Sequence, residues 1–160
     1  MFGSSFGGAT AAQLAVTDDR LLGAVGMDGQ FYGNVTALGT QKPFLFFNHA
    51  DAKHDPSWTE IYASWVQTWP HLTGFKRDLE VGGTLHVSFS DAALDLAAFG
   101  VETSSPPFST VVGSIKGKRL IDVVTDYLVA FFEMVFEGKQ APLLDAPSAE
   151  YPEVHLVQPQ

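Results

Sequence analysis

Short apolar runs that stop at turn residues alternate here with stretches of helical spacing, and this alternation constrains the fold more than any other feature of the chain. Residues 21–27 are apolar and stop at Asp28-Gly29, residues 43–47 are apolar and stop at Asn48-His49-Ala50-Asp51, and the mixed run 75–81 stops at Gly82-Gly83. Each run reads as a strand followed by a turn. Residues 9–15, Ala-Thr-Ala-Ala-Gln-Leu-Ala, are rich in alanine and read as a helix. Trp58, Ile61, Tyr62, Trp65 and Trp69 recur at helical spacing within residues 57–69. Ser90 is placed to cap a helix over 91–99. The longest helix covers 118–137, with apolar residues at 120, 121, 124, 127, 128, 131, 132 and 135 forming a wide buried face. Strands alternating with helices give an α/β protein with a mostly parallel sheet flanked by helices.

Only about three strands are visible, few for a sheet covered on both faces. A helix begins near residue 6 with hardly any strand before it. The chain is therefore expected to be the second half of a larger fold, occupying 1–138. The Ser- and Pro-rich stretch 103–110 reads as a loop. Beyond Gly138, Pro142, Pro147, Pro152 and Pro159 are expected to forbid regular structure and leave 139–160 as an extended tail.

A length of 160 residues fits one domain. Hydrophobic residues at 46% and charged residues at 17% exclude intrinsic disorder. Thirteen Phe point to a large buried interior or an apolar binding wall. Nine basic residues stand against 18 acidic ones, a net charge of −9. That balance argues against nucleic acid or an anionic membrane surface as the main partner, since both need clustered Lys and Arg. The lack of cysteine excludes disulfides, thiolate metal sites and a Cys nucleophile. No apolar run approaches the ~20 residues of a membrane-spanning helix. Residues 1–5 have neither a basic region nor an apolar stretch, so no signal peptide is expected.

Chemistry could sit first at Gly3-Ser4-Ser5-Phe6-Gly7, which fits the G-x-S-x-G pattern of a nucleophile elbow. Such an elbow holds a serine on a tight strand-to-helix turn, and the flanking glycines let strand and helix approach. The backbone N–H of Phe6, at a helix N-terminus, would face a developing oxyanion. A flexible Gly/Ser terminus fits the same five letters. A serine of this kind needs an acid and then a histidine, in that order along the chain. Asp28 ends a strand, where functional residues of parallel sheets gather, and His86 lies on a loop between the last visible strand and a helix. Taken singly, a turn aspartate and a solvated loop histidine explain both residues. Together and in order they favour a triad.

The segment Gly3-Ser4-Ser5-Phe6-Gly7-Gly8-Ala9-Thr10-Ala11 resembles the elbow of the platelet-activating factor acetylhydrolases, the plasma and type II intracellular branch with its fungal relatives. Met27-Asp28-Gly29 resembles the family's acid, and residues 84–91, Thr-Leu-His-Val-Ser-Phe-Ser-Asp, resemble its histidine loop. The spacings of 23 and 81 residues from Ser5 are close to the family's. The resemblance covers nearly the whole chain and implies the C-terminal half of an α/β-hydrolase. It implies a serine esterase that needs no cofactor or metal, with Ser5, Asp28 and His86 as its triad. The implied substrate is a phospholipid with a short sn-2 acyl group. Ser4 departs from the pattern, standing where the family carries His. The implied upstream half would supply the second oxyanion donor, and its loss would leave an exposed sheet edge that invites self-association.

Other readings remain open at this level. His49, Asp51, His54 and Asp55 form a cluster that fits either a metal site or a solvated turn. Asp51 rivals Asp28 as the acid, although Asp28 ends the cleaner strand. The Trp58–Trp69 aromatics fit core packing or a lipid-facing stripe. A non-catalytic remnant that keeps the triad letters is the alternative to an esterase.

Overall fold

Five strands join in one sheet in the computed structural model, which describes residues 1–158. Strands β1 (Phe2–Ser4), β2 (Ala24–Met27), β3 (Phe44–His49) and β4 (Lys76–Val81) lie side by side in chain order and run parallel. Strand β5 (Val154–Val157) closes the far side, antiparallel to β4. Between and after them come α1 (Phe6–Thr17), α2 (Val35–Leu38), α3 (Thr59–Thr68), α4 (Ala92–Ala98), α5 (Ser109–Val112), α6 (Gly117–Glu137) and α7 (Pro142–Asp145).

β3 shows why the runs are continuously apolar rather than alternating. A strand inside a parallel sheet is buried on both faces. Phe44 and Phe46 point to one face, into a core made with Ala11, Ala12 and Ala15 of α1 and Trp65 of α3. Leu45 and Phe47 point to the other, against Leu120, Val123, Tyr127 and Phe131 of α6. Burying each such large side chain contributes roughly 1.5–3 kcal/mol, so these two layers hold the sheet from both sides. Among the aromatics at 58–69, Trp65 is buried, and Trp58, Tyr62 and Trp69 pack partly buried against the same core. They are core before they are surface.

Two expectations need correction. The sheet has five strands rather than about three, because β1 is only three residues of Phe-Gly-Ser and β5 lies in the region expected to be irregular. The segment after Gly138 is likewise no structureless tail. Pro142 occupies the first position of α7, where a missing N–H costs nothing. Pro152 precedes β5 and interrupts no ladder, while Pro159 lies outside the described residues. Prolines flank these elements and do not break them. α5 also begins within the stretch expected to be loop.

β1 is the outermost strand and has no second neighbour among the described residues. Phe2 is 55% exposed there, with its ring 6.2 Å from that of Phe132 on α6. No described helix is long and apolar enough to cross a membrane.

Candidate active site

The four parallel strands end on the same side of the sheet, and side chains able to do chemistry gather there, as is general for open α/β sheets. Ser5 follows β1, Asp28 follows β2, His49 ends β3, and His86 lies on the loop after β4.

Ser5 sits on a sharp turn with φ 53° and ψ −123°. Its N–H still donates to the Met27 carbonyl at 2.8 Å, continuing the β1–β2 ladder. Its carbonyl accepts from the N–H groups of Gly8 and Ala9, at 2.9 and 3.2 Å, and so starts α1. One residue therefore ends a strand and begins a helix, which leaves its side chain at the edge of the sheet. Phe6 opens α1, where backbone N–H groups have no intrahelical acceptor.

From Ser5 the polar contacts run inward. The Ser5 Oγ lies 3.1 Å from His86 Nε2, and His86 Nδ1 lies 2.8 Å from Asp28 Oδ2. Asp28 is completely buried, whereas Asp51 is 89% exposed at its side chain and lies 3.9 Å from His54. The contact to the imidazole is thus made by Asp28. The histidine loop is stitched in place by Ser88, whose hydroxyl accepts from the Leu85 N–H and donates to the Val112 carbonyl, both at 2.8 Å. Nothing in the pattern of residues 84–91 distinguished Ser88 from a solvated loop serine.

Burial by itself pushes the Asp28 carboxyl up, but the hydrogen bonds from His49 and His86 outweigh it and hold the group below the usual carboxylate range. The same bond to Asp28 raises His86 above an ordinary imidazole, against a smaller opposing effect of burial. A carboxylate that stays ionised and an imidazole with enhanced proton affinity form a base able to draw a proton from the Ser5 hydroxyl.

His49 was grouped in the sequence with Asp51, His54 and Asp55, yet the structure separates them. Its ring turns inward to Asp28, with Nδ1 2.7 Å from Oδ1, while Asp51 and His54 remain on the surface and Asp55 bonds to Ser57. Among the described residues no three His, Asp or Glu side chains are arranged to hold a metal ion. Trp58 lies against both imidazoles, with ring centroids 4.9 Å from His49 and 4.9 Å from His86. Its place in an aromatic stripe marked it for packing and gave no sign of this second contact.

A cavity of about 170 Å³ opens beside Ser5 and His86, walled by Phe6, Tyr32, Trp58 and Ile61. Phe6 and Tyr32 also line an adjoining, almost wholly apolar groove of about 340 Å³ over α1. A larger hollow of about 750 Å³ lies near the β4–β5 edge among Lys76, Arg77 and Glu80, and contains none of the three triad candidates.

No family model matches the chain. It is 31% identical over 163 aligned residues to a protein of Arthroderma benhamiae named "Probable 1-alkyl-2-acetylglycerophosphocholine esterase", across 96% of this chain and 42% of that protein. Among solved structures it is similar to the ferulic acid esterase from Streptomyces cinnamoneus, with a TM-score of 0.84 and 33% identity, covering 98% of this chain and 46% of that one. The chain thus spans less than half the length of either relative. Its fold is of the α/β-hydrolase type, and the resemblance to acetylhydrolases extends over nearly all its residues.

Proposed function

We propose that this chain carries the nucleophile, acid and base of a serine carboxylic-ester hydrolase. The observation that carries the reading is the unbroken line from Ser5 Oγ through His86 to Asp28, in contacts of 3.1 and 2.8 Å. Ser5 Oγ attacks the ester carbonyl carbon as His86 Nε2 takes the hydroxyl proton. The Phe6 N–H donates to the resulting oxyanion. Collapse expels the alcohol, which receives the proton from His86, and leaves an acyl group on Ser5. Water then attacks the acyl carbon, losing a proton to His86, and the bond from that carbon to Ser5 Oγ breaks as His86 returns the proton to Oγ and the carboxylic acid departs. Asp28 keeps Nδ1 protonated and stabilises the imidazolium throughout.

The substrate we assign is a phospholipid with a short sn-2 acyl group. The name of the Arthroderma benhamiae relative supports it, as does the small volume beside Ser5, which suits an acetyl group. The ferulic acid esterase supports ester hydrolysis in general. The unpaired edge of β1 favours association with another strand, and sedimentation of the chain over a concentration series tests that association.

A second reading of the same fold is a chain that keeps the triad but does not turn over. A site that works with the Phe6 N–H alone, where two donors are usual, turns over roughly a hundredfold to a thousandfold more slowly. Release of p-nitrophenolate from p-nitrophenyl acetate separates the two. An esterase gives a burst of one equivalent per chain that Ser5→Ala abolishes, that Asp28→Asn slows by about 10⁴, and that Asp51→Asn leaves intact. A rate unchanged by Ser5→Ala, or lost on Asp51→Asn but not on Asp28→Asn, overturns the assignment.

A further inference from the structure

The esterase reading engages one oxygen of Asp28 and leaves the other to a different residue. Oδ1 is held by His49 through the ring Nδ1 at 2.7 Å and the backbone N–H at 3.2 Å. The His49 side chain is 3% exposed and the Asp28 side chain is fully buried. Two imidazoles therefore grip opposite oxygens of one carboxylate, and both touch the indole of Trp58. Carboxylate torsions are soft when only one oxygen is bonded. A second donor from the end of the neighbouring strand removes that freedom.

We propose that His49 is a positioning residue for the triad acid: its Nδ1–H, donated to Oδ1, fixes the Asp28 carboxylate with Oδ2 aimed at His86 and divides the carboxylate charge between two imidazoles. The proposal rests on the esterase reading of Ser5, Asp28 and His86. The depressed Asp28 carboxyl, drawn down by both histidines against burial, agrees with it. Without the His49 donor, more of the charge acts on His86, which then holds its proton more firmly. Asp55 on the loop after β3 and Glu80 on β4 also interact with the His49 charge, and neither is altered in the test.

The test follows the imidazole nitrogens of the 160-residue chain by heteronuclear NMR, without substrate. In the unsubstituted chain at pH 8, His49 is expected to carry its proton on Nδ1. His49→Leu is expected to raise the His86 titration midpoint, and His49→Asn, whose amide can reach the place of Nδ1, to return it towards the parent value. The p-nitrophenolate burst at pH 7 is expected to slow about tenfold or more in His49→Leu and to recover in His49→Asn. A neutral His49 with its proton on Nε2 overturns the proposal even if His49→Leu does not fold. So does an unchanged His86 midpoint in a folded His49→Leu. Failure of the esterase reading has a separate signature, a burst insensitive to Ser5→Ala.

Discussion

Ser5 and Asp28 stand at the same level on neighbouring strands. Ser4 pairs with Met27 across β1 and β2, so each residue is the first beyond its strand, and each has a positive φ, 53° and 49°. Such conformations cost residues with side chains on the order of 1–3 kcal/mol. Here hydrogen bonds from the Ser5 N–H to Met27 and from the Asp28 N–H to Phe47, both 2.8 Å, hold the strained residues in place. Ser5→Gly and Ser5→Ala should both abolish the ester burst. In urea, however, Ser5→Gly should be the more stable by more than about 1 kcal/mol, since glycine adopts this φ without strain and alanine does not. Equal midpoints would show that the strain at this turn does no more than offset the entropy cost of glycine, and a more stable Ser5→Ala would show that the turn stores none.

The contact between His86 and Asp28 sets a pH dependence. In the proposed reaction ester attack needs His86 neutral, and Asp28 raises its proton affinity above the ordinary value of 6.5. The acid limb of kcat/KM should therefore lie above pH 6.5, and Asp28→Asn should bring it down. The stability linkage has a defined sign on each side. The His86 contribution is complete below pH 6.5 and is lost as pH rises through the higher folded value. The Asp28 contribution is present above the ordinary 3.8 and is lost as pH falls through its depressed folded value. The destabilisation caused by Asp28→Asn should thus be larger at pH 5.5 than at pH 9. An acid limb below 6.5 in the parent chain would contradict this account.

The residues that the sequence shows most clearly are those whose role demands a local pattern. β3 is legible because four consecutive apolar residues suit a strand buried on both faces, and α6 because its apolar positions recur at three and four. Ser5, Asp28 and His86 are legible because each follows a strand in a fixed order. β1 is hidden by its three-residue length, and β5 by prolines that flank it without entering it. His49 is the most instructive case. Its neighbours Asp51, His54 and Asp55 give it the look of a polar loop, and only the register of β3 against β2 brings its ring to the Asp28 carboxylate. Contacts between strand ends from distant parts of the chain leave no local trace.

The glycines of the elbow are not equivalent. A Cβ on Gly3 would stand 2.5 Å from the backbone carbon and oxygen of Gly7, which no adjustment of a side chain can relieve. A Cβ on Gly7 would meet nothing within 4 Å and would point into open space. Gly3→Ala should therefore lower the urea midpoint strongly and end the burst. Gly7→Ala, in the first turn of α1, should leave the burst unchanged and raise stability by about 0.5–1 kcal/mol, the usual gain of alanine over glycine in a helix. A Gly7→Ala chain as damaged as Gly3→Ala would show that the second glycine of the pattern is needed for a reason other than space.

A second buried carboxylate has the opposite electrostatic character to Asp28. Asp78 on β4 receives one side-chain hydrogen bond, from Asn48 Nδ2 at 2.7 Å, and the Asn48 Oδ1 is buried with no partner among the described residues. Burial first, and then the charge of Glu80, push the Asp78 carboxyl up to about 7. In the unfolded chain it ionises near 3.8, so between that pH and 7 folding takes up a proton. Stability therefore falls as pH rises through this window, by at most ~1.4 kcal/mol per pH unit. Asp78→Asn removes the titration, keeps an acceptor for Asn48 Nδ2 and adds an amide N–H that can face Asn48 Oδ1. It should raise stability at pH 8 by about 1–3 kcal/mol and change little at pH 4, read from urea midpoints at both. A difference between variant and parent that stays constant from pH 4 to pH 8 would mean that Asp78 ionises in the fold as it does in the unfolded chain.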